Sequence, residues 1–225
     1  MSARQVNIAE ILTRYVSGYF PLYDLEGEFF WERLSIRAMI PVNPDTAARA
    51  RRLARRGRHR FEIRHNTVTW DVVTLLQRED IKRNSWVQEE VVKIYAALHA
   101  ARLLRTVEAW DTQGNLAGAL LGIDLPGTFI AETMFGLVPE ASKICLCRLV
   151  EDCFHEGREI IDVQTPHNLD EWGLPREDAS RTTPHPCVRI GEIYLPISVY
   201  MRAFVAAWKR AFNGGIEEWL ERARQ

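Results

Sequence analysis

Long apolar runs are missing from this sequence: no stretch of about 18 residues is uninterrupted by charged or strongly polar side chains, which excludes a membrane-spanning helix. No secretory leader is expected either, because Met1-Ser2-Ala3-Arg4-Gln5 opens onto a segment with acids inside its apolar pattern and no small-residue cleavage site. The compartment this leads us to expect is the cytoplasm. Cysteine is scarce. The four present, Cys145, Cys147, Cys153 and Cys187, form no C-x-x-C pair, and three of them fall in one helix-like segment. Cysteines along one helix are badly placed to pair with each other, so buried free thiols are expected rather than disulfides or a zinc site. Nor do His155, His167 and His185 show metal-ligand spacing, and a lone histidine such as His99 is usually structural, so no metal or cofactor is expected. Compositional bias is absent as well: 47% hydrophobic and 26% charged residues are ordinary for a globular domain and exclude disorder and collagen-like repetition.

Charge imbalance is what the chain does have, although its net charge of -1 hides it. Between Arg49 and Arg64 stand eight arginines and one acid, Glu62, and this local surplus of seven leaves the rest of the chain near -8. A run of like charge can simply be a solvated face. Arginine rather than lysine points further, because the planar guanidinium grips phosphate oxygens with two bonds at once. Nucleic acid, RNA first, becomes a candidate partner. Helical spacing gathers Arg51, Arg52, Arg55 and Arg56 on one side as the candidate contacts.

Periodicity gives the order of elements. Residues 6 to 17 carry Val6, Ile8, Ile11, Leu12, Tyr15 and Val16 at helical spacing, with Gly18 as a stop. Phe29 to Val42 reads as extended and mixed. Asn43-Pro44 then offers a cap and first-turn proline for a helix through the arginines to Gly57, and Arg58 to His65 reads as a strand. Helices are expected over Thr69 to Gln77 and Trp86 to Ala100. From Leu103 the period falls to two: Leu103 to Trp110, Leu116 to Leu125 and Thr128 to Phe135 are strands joined by short glycine-bearing turns, hence antiparallel. A helix over Glu140 to His155, a strand over Glu159 to Gln164, and helical patterns at Asn168 to Trp172 and Ser198 to Phe212 complete the chain. The class is α+β, a mainly antiparallel sheet flanked by helices. At 225 residues the expected split is a small N-terminal subdomain, 1–65, carrying the basic segment, and a main domain, 66–225.

A series of short motifs appears in order. Gly18-Tyr19-Phe20-Pro21 reads G-x-F-P. Ser85-Trp86-Val87 and Tyr95-Ala-Ala-Leu98-His99 follow, then Val107-Glu108-Ala109-Trp110 and Leu116 to Gly122. Ala131-Glu132-Thr133-Met134-Phe135, Ala141-Ser142-Lys143, Ile161-Asp162-Val163-Gln164 and His167-Asn168-Leu169 complete it. Each is weak alone; the ordered set, over roughly residues 18 to 173, resembles the leucyl/phenylalanyl-tRNA–protein transferase family. The chain departs from that family's pattern in several places. Leu121 stands for a tyrosine and Gly136 for a serine, a tryptophan-rich stretch is only faintly visible at Phe30-Trp31-Glu32-Arg33, and Arg51-Arg52-Leu53 replaces an S-R-S element. The resemblance implies a GNAT-like acyltransferase fold. It also implies an enzyme moving Leu or Phe, with Met a further donor, from charged tRNA to the N-terminal amine of proteins beginning with Arg or Lys, which tags them for degradation. A different acceptor amine, or a tRNA-binding homologue without turnover, are the alternatives.

An aminoacyl ester is already activated, so transfer to an amine needs orientation, loss of a proton and stabilisation of an oxyanion rather than a metal or nucleotide. Asp162 and Gln164, two apart in a strand, share a face. The resemblance makes them the catalytic pair, Asp162 holding or polarising Gln164 and the amide orienting the amine; hydrogen bonds to loop backbone are the plainer reading. Glu132 sits among Phe129, Ile130, Met134 and Phe135, where a carboxylate needs a partner. That partner is the cationic acceptor, or internally Lys143 or Arg105. Glu108 is a second acceptor-binding candidate, with a structural salt bridge the stronger reading. Trp86, Tyr95, Trp110, Met134 and Phe135 are candidates for a donor pocket with a surface for the terminal adenosine, Trp86 and Met134 foremost.

Overall fold

Leu116 to Leu125 reads Leu-Ala-Gly-Ala-Leu-Leu-Gly-Ile-Asp-Leu, too apolar to alternate, as a strand covered on both faces must be. In the computed structural model, which describes residues 7–24, 26–78, 80–81, 86–165 and 185–222, that strand lies inside a seven-stranded sheet. The elements run α1 (Ile8–Val16), β1 (Phe20–Tyr23), β2 (Phe29–Glu32), β3 (Ile36–Pro41), α2 (Pro44–Ala54), β4 (Glu62–His65), α3 (Thr69–Leu76) and α4 (Glu89–Ala100). After these come β5 (Leu104–Trp110), β6 (Leu116–Leu125), β7 (Thr128–Gly136), α5 (Ala141–His155), β8 (Ile160–Gln164), α6 (Pro186–Ile190), β9 (Ile193–Pro196), α7 (Ile197–Ala211) and α8 (Ile216–Arg222). The main sheet has the order β4-β5-β6-β7-β8-β3-β9, and β1 and β2 form a separate two-stranded ribbon. Every pairing is antiparallel except β7 with β8, which needs the α5 crossover to bring its strands parallel.

Helices cover both faces. Against one lie α2, α5 and α6, contributing Ala50, Ala54, Cys145, Leu149 and Ile190 to the core; against the other lie α1, α3, α4 and α7, contributing Leu12, Val72, Tyr95 and Phe204. All four cysteines are buried free thiols, and burial pushes those of Cys145, Cys147 and Cys153 up to about 12. Among the described residues no helix is long and apolar enough to cross a membrane.

The expected class, α+β with a mainly antiparallel sheet flanked by helices, is present. The expected division at 65/66 is not how the chain is built. That cut parts β4 from β5, with which it pairs from Glu62↔Trp110 to His65↔Val107, and it separates β3 from β8 and β9 on either side of it. Ala38, Met39 and Ile40 are buried because β3 is an interior strand, and interior strands belong to the sheet they sit in. Among the described residues, β1 and β2 are the strands outside that sheet, and they pack against its core through Phe20 and Leu22.

The Asn43 cap forms as expected, its side chain accepting from the Asp45 and Thr46 N–H groups in a capping box with Thr46. α2 stops at Ala54, however, and a single 3-10 turn at Arg58–Arg60 delays the next strand to Glu62. The helix expected over Asn168 to Trp172 and the motif His167-Asn168-Leu169 lie outside the described residues.

Candidate active site

β7 and β8 pair in parallel only over Thr128↔Ile160, Phe129↔Ile161 and Ile130↔Asp162. Beyond that point the strands part, and irregularities in the neighbouring ladders re-aim the residues that follow. Between β6 and β7 the register runs Leu121↔Thr133 then Gly122↔Ala131, which leaves Glu132 as an extra residue in a bulge. Between β3 and β8 it runs Ala38↔Gln164 then Met39↔Asp162, which leaves Val163 extra, and Gln164 ends the strand with φ of 63°, a left-handed conformation unusual for a long side chain.

A cavity of about 430 Å³ opens in this gap. Because it lies between strands it draws on both core layers: Phe20, Leu22 and Trp86 from one, Leu120, Met134 and Leu146 from the other. Its polar lining includes Glu132, Gln164 and Thr165, with His185 and Cys187 beside them.

Glu132 is 7% exposed and its two oxygens are bonded. Oε2 accepts from Tyr15 Oη at 3.2 Å and Tyr95 Oη at 3.1 Å, and Oε1 accepts from Gln164 Nε2 at 2.7 Å. Burial raises its pKa to about 7, against the pull of the two phenols and the Arg37 charge. Burial, reinforced by the Glu132 charge, lifts both phenols well above the ordinary tyrosine value, so they remain neutral donors.

Asp162 is fully buried, as is Arg37 at 1% exposure. Arg37 donates through Nε (2.9 Å to Oδ1, 3.1 Å to Oδ2) and Nη2 (2.7 Å to Oδ2), Tyr200 Oη donates to Oδ2 at 2.8 Å, and the Gln164 N–H donates to Oδ1 at 2.8 Å. Burial opposes the Arg37 charge, and Asp162 more than restores it.

Asp162 and Gln164 are therefore together, as expected, but the link between them differs. Asp162 holds the Gln164 main chain, whereas Glu132 holds its amide. Period two is also not what joins them, since the bulge at Val163 and the left-handed turn intervene. Neither internal partner considered for Glu132 is used: Lys143 pairs with Glu140, and Arg105 with Glu156 and Asp124. Three residues of this network, Arg37, Tyr15 and Tyr200, belong to none of the sequence motifs. Arg37 carried a signal in retrospect, because an arginine followed by Ala-Met-Ile in a buried strand requires a carboxylate.

The donor-pocket candidates divide. Trp86 and Met134 line the cavity; Tyr95 lies behind Glu132, edge-on to Trp86 at 6.4 Å. Phe135 is packed in the core outside the lining, and Trp110 stacks under the Arg64 guanidinium, 4.6 Å from its ring centre. An aromatic on a strand announces burial without saying against what.

Glu108 is not at the cavity either. On β5 it accepts from Thr106 Oγ1 (2.6 Å), the Thr67 N–H (2.9 Å), the Val68 N–H (3.1 Å) and the Thr67 hydroxyl, so it secures the start of α3 by hydrogen bonds rather than by a salt bridge. Burial works against its charge, but these donors hold it below the usual carboxylate range. Glu108→Ala should lower stability by about 1–3 kcal/mol, the cost of stranding those donors, and leave kcat of the folded protein unchanged. A thermal melt paired with an activity assay checks this, and a lost kcat at full stability would return Glu108 to the site.

Arg51, Arg52, Arg55 and Arg56 are exposed, and none has an ion-pair partner among the described residues. α2 buries Thr46, Ala47, Ala50 and Ala54 instead, packs on α5 and touches α6, whose Cys187, with the preceding His185, reaches the cavity, while none of the four arginines lines it. One group of potential metal-donor atoms gathers among the described residues, from His185, Cys187 and Glu192 within 4.8 Å, where burial keeps the Cys187 thiol protonated and the Cys187 N–H donates to His185 Nδ1.

Among the described residues, the mainly antiparallel sheet has one parallel pair, and it parts around a pocket with a bonded carboxylate and amide at its lip. Residues 41–178 match the family model described as leucyl/phenylalanyl-tRNA protein transferase. A leucyl/phenylalanyl-tRNA–protein transferase of Herpetosiphon aurantiacus is 34% identical over 170 residues, covering 73% of this chain and 85% of its own. That of a Synechococcus species is 38% identical over 168 residues, covering 72% of this chain and 84% of its own. Among solved structures, L-PGS from Bacillus licheniformis is similar at 10% identity with a TM-score of 0.46, over 83% of this chain and 65% of its own. The chain belongs to the leucyl/phenylalanyl-tRNA–protein transferase family, and it is an aminoacyltransferase.

Proposed function

We propose that this aminoacyltransferase moves leucine or phenylalanine, with methionine as a further donor, from charged tRNA to the N-terminal amine of proteins beginning with arginine or lysine, marking them for proteolysis. The observation that carries the reading is the Gln164–Glu132 hydrogen bond at the lip of the cavity. With Nε2 committed to Glu132, the Gln164 Oε1 is left to accept from the incoming amine. The amine nitrogen attacks the ester carbonyl, the tetrahedral intermediate collapses, the bond to the ribose oxygen breaks, and the amine proton ends on that oxygen through water or the neighbouring ribose hydroxyl. A neutral amide is a poor base, so Gln164 orients the amine rather than removing its proton. The Glu132 carboxylate draws the cationic acceptor to the same point. A cavity of about 430 Å³ walled by Trp86, Met134 and Leu146 suits a leucyl or phenylalanyl side chain, and Trp86 offers a face for the terminal adenine.

Two alternatives lose their motive in part. Leu121 is buried away from the cavity and Gly136 is exposed at the end of β7, so the departures that suggested another acceptor do not touch the pocket. An inactive homologue would have no need to keep the Glu132–Gln164–Asp162–Arg37 network complete.

Purified protein with labelled leucyl-, phenylalanyl- and methionyl-tRNA and a peptide beginning with arginine tests the proposal. No labelled peptide from any of the three donors would end it. Binding of tRNA by α2 is tested separately. Each phosphate contact releases counterions, so log affinity falls with log salt by roughly 0.7 to 0.9 per contact. Replacing Arg52 and Arg55 with alanine should weaken tRNA binding and reduce that slope by about 1 to 2 in total. An unchanged slope would mean the face is only solvated.

A further inference from the structure

We propose that Arg37 and Tyr200 are positioning residues for acyl transfer, acting through the Asp162 carboxylate to hold Gln164 in the left-handed turn that aims its amide. The proposal rests on the reading of Gln164 given above.

The turn is the starting point. A long side chain at φ of 63° is disfavoured, and such a residue persists only where its surroundings impose it. Here the Gln164 N–H points back two residues onto Asp162 Oδ1 at 2.8 Å, an interaction that the bulge at Val163 makes room for. Asp162 can serve as that anchor only if it is itself fixed. Arg37 fixes it with a two-nitrogen fork that sets the plane of the carboxylate, and Tyr200 Oη at 2.8 Å takes the remaining direction on Oδ2. The guanidinium is fixed in turn: Nη1 donates to the Gly18 carbonyl at 3.4 Å, and the rings of Phe20 and Tyr200 lie 4.8 and 5.6 Å from its carbon. The carboxylate oxygens are thereby engaged by protein donors, so Asp162 reaches the substrate only through Gln164. One chain of hydrogen bonds runs from α7 and β3 through β8 to Glu132 on β7. It gathers residues separated by 125 and 38 positions in sequence onto the main chain and side chain of one residue, Gln164.

A residue that acts through another loses its effect when the other is removed, which a merely structural residue does not. The test is a double-mutant cycle of Tyr200→Phe against Gln164→Ala. Single-turnover transfer is measured with enzyme in excess and labelled leucyl-tRNA, alongside tRNA affinity and melting temperature. Tyr200→Phe removes one hydroxyl and leaves the Arg37–Asp162 pair in place. It should lower the transfer rate on the order of tenfold at unchanged tRNA affinity, and should cause no further loss in the Gln164→Ala background. Arg37→Lys, which keeps the cation but not the fork, should behave in the same way and more severely. An equal loss from Tyr200→Phe in both backgrounds, or none in the wild type, overturns the proposal while leaving Gln164 in its role. Full activity in Gln164→Ala alone overturns the reading beneath it as well.

Discussion

Asp162→Ala is expected to lower the stability of this protein by about 3–5 kcal/mol, because it leaves the buried Arg37 guanidinium without its counter-charge. In a chain of this size that corresponds to a melting temperature lower by on the order of 10 °C. Loss of activity in such a variant therefore cannot by itself be assigned to chemistry. Replacing both partners, Arg37→Met with Asp162→Leu, removes the stranded charge and should recover most of the stability, since buried pairs add little over well-packed apolar residues. It should not recover transfer, because the Gln164 anchor is gone. Chemical denaturation of the single and double variants measures the first point. A single variant as stable as wild type would mean that water or another group reaches Arg37.

Glu132→Gln should give the largest change in catalysis, a fall in kcat/KM on the order of a hundredfold to a thousandfold, as is usual when a charge-stabilising group at a reacting centre is lost. Its pH dependence carries a specific sign. With a pKa near 7 in the folded protein, the carboxyl is neutral below that pH and offers no charge to a cationic acceptor. The part of the wild-type kcat/KM that Glu132 controls should therefore rise through about pH 7 and level above it. The acceptor α-amine, with a pKa of about 7.7–8.0, imposes its own rise, and Glu132→Gln should retain that one alone. Stability moves the other way. A carboxyl whose pKa is raised on folding contributes fully below its unfolded value of 4.5, and this contribution is lost as pH climbs through 7. The wild type should thus lose stability relative to Glu132→Gln over that interval. Identical pH–rate profiles for the two proteins would remove Glu132 from the reaction.

Much of the β5–β7 meander is legible from local signals. β6 and β7 start where expected because Asp111 to Asn115 and Pro126-Gly127 are turn chemistry, and the latter turn uses the left-handed φ of 71° that Gly127 tolerates. What failed was non-local. Nothing within Ile36 to Pro41 tells that its two edges are taken by residues 160–164 and 193–196, so a boundary read from local signals cuts through the sheet. β1 and β9, each with a proline, are too short to announce themselves. Glu132 was legible as an acid without a local partner. Its bulge was not, since a bulge is a mismatch between two strands and belongs to neither sequence alone. Arg37 and Asp162 explain each other only as a pair. Glu108 and Trp110 share a motif that does not line the cavity between β7 and β8, which shows that a motif's residues can serve the scaffold as readily as the reaction.

The three-residue parallel ladder between β7 and β8 has a consequence for how the molecule comes into being. It is where strands joined by neighbouring hairpins, β5 to β7, meet strands that are assembled from distant parts of the chain, β3, β8 and β9. Hairpin contacts close short loops and form early, whereas seating β3 between β8 and β9 requires residues 36–41 to wait for 160–164 and 193–196. On a ribosome the meander is complete while the strands that must flank β3 are still being made. Tyr15, Arg37, Gln164 and Tyr200 are brought together by those long-range pairings and not by the meander, so a site for transferring an amino acid is complete only once β3 is seated.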